Sequence, residues 1–66
     1  MNLKEAIDIY KDLVDTIIIQ SCIVDDNSEI TLPSEDAEFL CDEWLELGVA
    51  KVTRLPSADY CIIYLA

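Results

Sequence analysis

There is no histidine in this chain, and the side chain most often used for proton transfer near neutral pH is therefore missing. No Gly-rich phosphate loop and no G-x-S-x-G elbow is present either, so the common nucleophilic and phosphate-binding signatures are excluded. A single Gly and two Pro leave no linker and no low-complexity stretch. Three cysteines (Cys22, Cys41, Cys61) form no C-x-x-C pair, and an odd count leaves at least one thiol unpaired. They read as small core residues of a reduced, cytoplasmic protein, with no zinc site. The N-terminus lacks the apolar core of a signal peptide, and no apolar run approaches the ~18 residues of a membrane span.

Basic residues are scarce as well: four Lys and Arg against fourteen Asp and Glu, for a net charge of −10. The imbalance is local. Residues 25–46 hold nine carboxylates (Asp25, Asp26, Glu29, Glu35, Asp36, Glu38, Asp42, Glu43, Glu46) and no base, while the flanking segments nearly cancel. Such a field repels nucleic acid and anionic membranes and attracts basic proteins. At 66 residues the chain is one small domain, residues 1–66, and its 53% apolar content argues against disorder.

Asn2 is placed to cap a helix starting at Leu3, and Leu3, Ile7, Tyr10, Val14 and Ile17 recur at helical spacing. The spacing predicts a helix to about residue 20. The β-branched run over 16–24 offers a strand as the alternative for part of that segment, and the helix is the favoured reading. Residues 25–28 form a turn cluster, and 29–32 read as a short extended piece before Pro33. Ser34 then caps a second predicted helix over 34–47, with a buried stripe of Ala37, Leu40, Cys41, Trp44 and Leu45 and a stop at Gly48. Residues 49–55 and 60–65 read as two strands joined by Pro56-Ser57-Ala58-Asp59. The expected class is α+β, two helices followed by a C-terminal two-stranded antiparallel hairpin (α-α-β-β). The last strand is apolar on both faces, so a homodimer through that strand, or a partner protein, is expected to cover one of them.

Two acidic stripes are candidates for contact. Glu5, Asp8, Asp12 and Asp15 would stack on one face of a long first helix, about 5–6 Å apart, a scale comparable with successive phosphates. Lys4 and Lys11 offer these acids helical neighbours, as on any solvated face. On the second helix, Glu38, Asp42, Glu43 and Glu46 add to a run without bases. Its like-charge pairs would each cost about 0.2–0.5 kcal/mol, and the last three would sit where the helix dipole disfavours acids. An arrangement that local physics disfavours points to a functional surface. The candidate partner-binding residues are thus Asp42, Glu43, Glu46, Glu38, Asp8, Asp12 and Asp15. No catalytic residue, metal ligand or cofactor is expected. A calcium loop over residues 25–36 fails because Ile30 stands where Gly is needed and Asp36 where a bidentate Glu is needed.

Residues 40–65 resemble the back half of a winged helix, in which a helix ending Leu45-Glu46-Leu47-Gly48 precedes a strand, a wing and a strand. The acids on that helix have the wrong sign for DNA, so the resemblance implies a protein-binding module. In size and charge the whole chain resembles the small acidic phage proteins that disarm host nucleic-acid-binding defences, the anti-CRISPR and DNA-mimic inhibitors. That resemblance implies a viral protein in the host cytoplasm that blocks the DNA-binding groove of a basic host protein or Cas complex. The alternative is a small non-enzymatic adaptor that binds one basic partner.

Overall fold

The computed structural model describes residues 1–21 and 28–66. Along the chain run α1 (Leu3–Tyr10), β1 (Thr16–Ser21), β2 (Ser28–Pro33), α2 (Ser34–Ala37), α3 (Asp42–Leu45), β3 (Val49–Arg54) and β4 (Tyr60–Leu65). The strands form one mixed sheet in the order β2-β1-β4-β3. β1 pairs antiparallel with β2 and parallel with β4, and β3 pairs antiparallel with β4. The expected α-α-β-β order with a lone hairpin is therefore incorrect. β3 and β4 do pair antiparallel, but as half of a four-stranded sheet in which β4 is interior.

The first error lies at the end of α1. Asn2 caps it as expected, and a reciprocal bond completes a capping box: the Glu5 amide donates to Asn2 Oδ1 at 2.9 Å and the Asn2 amide to Glu5 Oε1 at 3.2 Å. The helix then stops at Tyr10, whose carbonyl accepts from the amides of Leu13 and Val14. Ile17, Ile18 and Ile19 form the middle of a strand instead. Three consecutive β-branched side chains lose rotamer freedom in a helix and pack well on a pleated surface. Here that surface is the centre of the sheet, where Ile17 and Ile19 are fully buried beside Cys61, Ile63 and Leu65.

The second error concerns residues 34–47, which form two single turns with a non-helical link at 38–41. An acid-rich stretch without bases gains little from extending a helix, because neighbouring turns bring like charges together. Pro33, with no side-chain cap bond, takes the N-cap position expected of Ser34. The Ser34 hydroxyl is buried and donates instead to the Val14 carbonyl, while the Ser34 amide donates to Asp15 O at 2.9 Å. Ser34 thus clips α2 to the turn ahead of β1. Ser34→Ala is expected to lower stability by about 1–3 kcal/mol, because it strands a buried carbonyl without its donor. Urea denaturation followed by circular dichroism measures this, and a loss below ~0.5 kcal/mol would contradict the clip.

Gly48 is not the helix stop expected of it. It has no positive φ, forms an antiparallel bridge with Asn2, and its carbonyl accepts from Ala66. The expected extended piece at 29–32 falls inside β2. The turn at 25–28 and the calcium-loop positions Asp25 and Asn27 lie, except for Ser28, outside the described residues.

All the helical turns lie on one face of the sheet. Leu3, Ala6 and Ile7 of α1, with Ala37 of α2 and Val14, close the core over Ile17, Ile19, Cys61, Ile63 and Leu65. Burial pushes the Cys61 thiol upward from its ordinary pKa, which keeps it neutral and unreactive, whereas Cys41 is exposed. Among the described residues no helix is long and apolar enough to cross a membrane.

Candidate protein-binding face

Two layers separate the charge of the described residues. The helical layer (residues 1–15 and 34–48) carries ten carboxylates and two lysines, a net −8. The strands and the β3–β4 turn carry Glu29 and Asp59 against Lys51 and Arg54, a net of zero. Among the described residues the helical side is thus acidic and the sheet side neutral, and Asp25 and Asp26, outside them, carry the remaining −2.

The seven candidate residues all lie in the helical layer and are all exposed. The structure draws some of them together around Lys11, which caps the C-terminus of α1. Its ammonium lies 3.3 Å from Glu38 Oε2 and 3.7 Å from Asp8 Oδ1. The hydrogen bond to Glu38, the charge of Glu38, and then Asp8 and Asp12 hold the Lys11 pKa above its ordinary value. Asp12, Glu35 and Glu38 line one shallow depression beside Lys11 and Ser34, and Asp15 borders a second. One lysine pairs with two of these acids and leaves the cluster strongly negative.

The long stripe does not form. Because α1 stops at Tyr10, Asp12 falls in the following turn and Asp15 stands at the entrance to β1, so Glu5, Asp8, Asp12 and Asp15 do not repeat along one helix face. Glu5 is also engaged at the cap. The second helix needs a related correction. Asp42 and Glu43 occupy the first turn of α3, not the C-terminal end of a long helix, so their positions are locally favourable. Only Glu46, at the C-cap of α3, keeps the unfavourable placement.

Phe39 is the residue that the sequence reading missed. It sits in the link between α2 and α3 and is 79% exposed, the most exposed large apolar side chain among the described residues. Beside it opens a groove of about 230 Å³ lined by Lys4, Ile7, Asp8, Glu38, Phe39 and Leu45. Ile7 is fully buried and forms part of the floor, while Asp8 and Glu38 stand on the rim. A signal for Phe39 was present in the sequence: the apolar stripe at 37, 40, 41, 44 and 45 places position 39 on the opposite side of a helix. Ile9 and Leu13 add two further exposed apolar side chains to the same layer.

Aromatic anchors in or beside apolar pockets, ringed by polar groups, are the usual energetic centre of a protein interface. The acidic rim adds attraction at a distance and selects a partner of opposite sign. Among the described residues no group of three or more His, Cys, Asp or Glu is arranged to hold a metal ion. Compared with known protein families, curated proteins and solved structures, the chain matches none. The functional reading therefore rests on the surface of this chain alone.

Proposed function

We propose that the protein is a non-enzymatic inhibitor that binds a basic, DNA-binding protein through its helical layer. The observation that carries this reading is the segregation of charge among the described residues, net −8 on the helical layer and zero on the sheet, with Phe39 exposed amid the acids. A Lys/Arg-lined groove that holds DNA fits such a surface, and a Cas complex of a phage-infected bacterium offers one. Carboxylates around Lys11 and on α3 would take the place of phosphates, and Phe39 would supply the apolar contact that rim charges lack. Because the acids do not form a regular ladder, what supports inhibition is the density and sign of the field, not a phosphate-like spacing.

A second reading has its own observation. The pairing of Phe39 with a bordered groove is also what an adaptor needs in order to grip one basic partner away from its nucleic-acid site. One experiment separates the two. The full chain is immobilised and used to capture proteins from a bacterial lysate that contains Cas complexes, with and without competing duplex DNA. Inhibition predicts a DNA-binding complex that duplex DNA displaces and whose own DNA binding is lost when the chain is bound. A partner held equally well with DNA present, and still able to bind DNA, would overturn it in favour of the adaptor.

A further inference from the structure

The side of the sheet turned away from the helices carries a pattern that the helical face does not explain. The strand registers arrange its side chains in rows across the sheet, because cross-strand partners point the same way. One row runs Glu29, Gln20, Tyr64, Lys51 from β2 to β3, and the next runs Thr31, Ile18, Ile62, Thr53. Their neighbours in sequence, Ile17, Ile19, Ile63 and Leu65, are the buried core, so these rows face outward. Ile18, Ile62 and Tyr64 form an apolar centre, with the Lys51 ammonium 4.7 Å from the Tyr64 ring centroid. No other described element packs on this face.

We propose that this face is a self-association surface on which a second copy of the chain packs. Charge argues for a second copy. Two molecules of net −10 repel, with −8 of that charge on the helical layers, while the described strands and the β3–β4 turn carry no net charge, so the outer sheet face is where they meet with least repulsion. The edges are poor routes to association. β3 carries an irregularity between Val49 and Lys51, β2 ends in Pro33, and both hydrogen-bonding edges of β4 are already used by β1 and β3. The C-terminal strand can therefore join a dimer by its face only.

The rows also fix the symmetry. A two-fold axis lying in the interface, parallel to the strands and between β1 and β4, exchanges left and right while keeping each row in place. It lays Glu29 over Lys51 of the second copy and Lys51 over its Glu29. Ile18 then meets Ile62, Gln20 meets Tyr64, and Thr31 meets Thr53, each pair occurring twice as an isologous contact requires. Ordinary sheet twist sets the two sheets about 30° apart at a spacing of about 10 Å. Both acidic layers face outward, on opposite sides of the dimer. Four strands of six residues offer roughly 19 by 20 Å per copy. Counted over both copies that is roughly 760 Å², below the ~1,000 Å² of a stable interface, so the dimer is expected to be weak and to dissociate on dilution.

The test is sedimentation velocity with light scattering, from roughly 1 μM to 1 mM at about 0.15 M salt, where a Debye length of about 8 Å screens the outward acidic layers. The wild-type chain is expected to pass from monomer to dimer across this range. Glu29→Lys and Lys51→Glu should each weaken association by about tenfold or more, because each places like charges opposite one another twice. The double variant E29K/K51E restores both contacts with reversed polarity and should return association close to the wild-type level. Ile18→Thr keeps a β-branched residue in β1, carries no charge change and should also weaken the dimer. Far-UV circular dichroism checks that each variant is folded. A chain monomeric throughout the range would overturn the proposal and leave the face to solvent or to another protein. Single reversals without effect, a double variant that is not restored, or a dimer abolished by Phe39→Asp would overturn it as well, the last by assigning association to the helical face.

Discussion

Replacing Ile63 with alanine is expected to leave much of the chain unfolded at 37 °C, while replacing its neighbour Ile62 is expected to be mild. Ile63 lies on the interior strand β4, is fully buried, and faces α1 across a core that includes Ile17, Ile19 and Leu65. Ile→Ala at such a site costs about 2–5 kcal/mol, from lost burial and from the cavity left behind. A domain of 66 residues has roughly 3–10 kcal/mol of stability at the usual ~0.05–0.15 kcal/mol per residue. The loss is thus comparable with the whole. Ile62 points to the outer face and is only half-buried, so Ile62→Ala should cost about 1 kcal/mol or less when measured at low micromolar concentration. Urea titrations of both variants by circular dichroism give the comparison. Equal losses at the two positions would contradict a sheet packed by helices on one face only.

That contrast also shows where the sequence was legible and where it was not. The Asn2 cap was readable because capping is local, needing only a short polar side chain ahead of an apolar period. The positions of β3 and β4 were readable for a similar reason, since a Pro-containing turn separates two short β-rich runs. Their place in the sheet was not, because the partner of β4 is β1, about forty residues away, and no local feature announces a parallel pairing. β1 itself was ambiguous. Val14 and Ile17 fit a helical period, Ile17 and Ile19 fit alternation, and no Gly or Pro marks a boundary before Pro33. Tertiary packing decided it by giving Ile17 and Ile19 a buried face.

In the segment 34–47 the periodicity survived although the helix did not. Ala37, Leu40, Trp44 and Leu45 all turn toward the core as the stripe implied, whereas Cys41 is exposed in the link. Like-charge density, which was read as evidence of function, had a structural outlet: a break that gives α3 its own first turn and places Asp42 and Glu43 there. The candidate carboxylates were legible as a charge, but their arrangement around Lys11 was not. It depends on the early end of α1 and on the Ser34 clip, both products of long-range packing.

The same break produces the second large expected effect. Phe39 is held out of the core by the link between α2 and α3, so Phe39→Ala removes almost no buried surface, and stability should change by no more than about 0.5 kcal/mol. Its effect on binding should be far larger. An aromatic anchor beside an apolar groove typically accounts for 2 kcal/mol or more of an interface, about 30-fold in affinity. Carboxylates on the rim act differently. Neutralising Asp42 or Glu43 to the amide should change affinity only a few-fold, mostly through a slower association rate and a weaker dependence on salt. Surface plasmon resonance on the captured partner, at two salt concentrations, resolves these contributions. A large loss for Phe39→Ala with a nearly unchanged association rate identifies Phe39 as the anchor and the acids as the steering field. If Phe39→Ala stays within about twofold while the amide variants dominate, binding is electrostatic throughout. The groove beside α1 then has no part in it, and the carboxylate clusters alone must account for recognition.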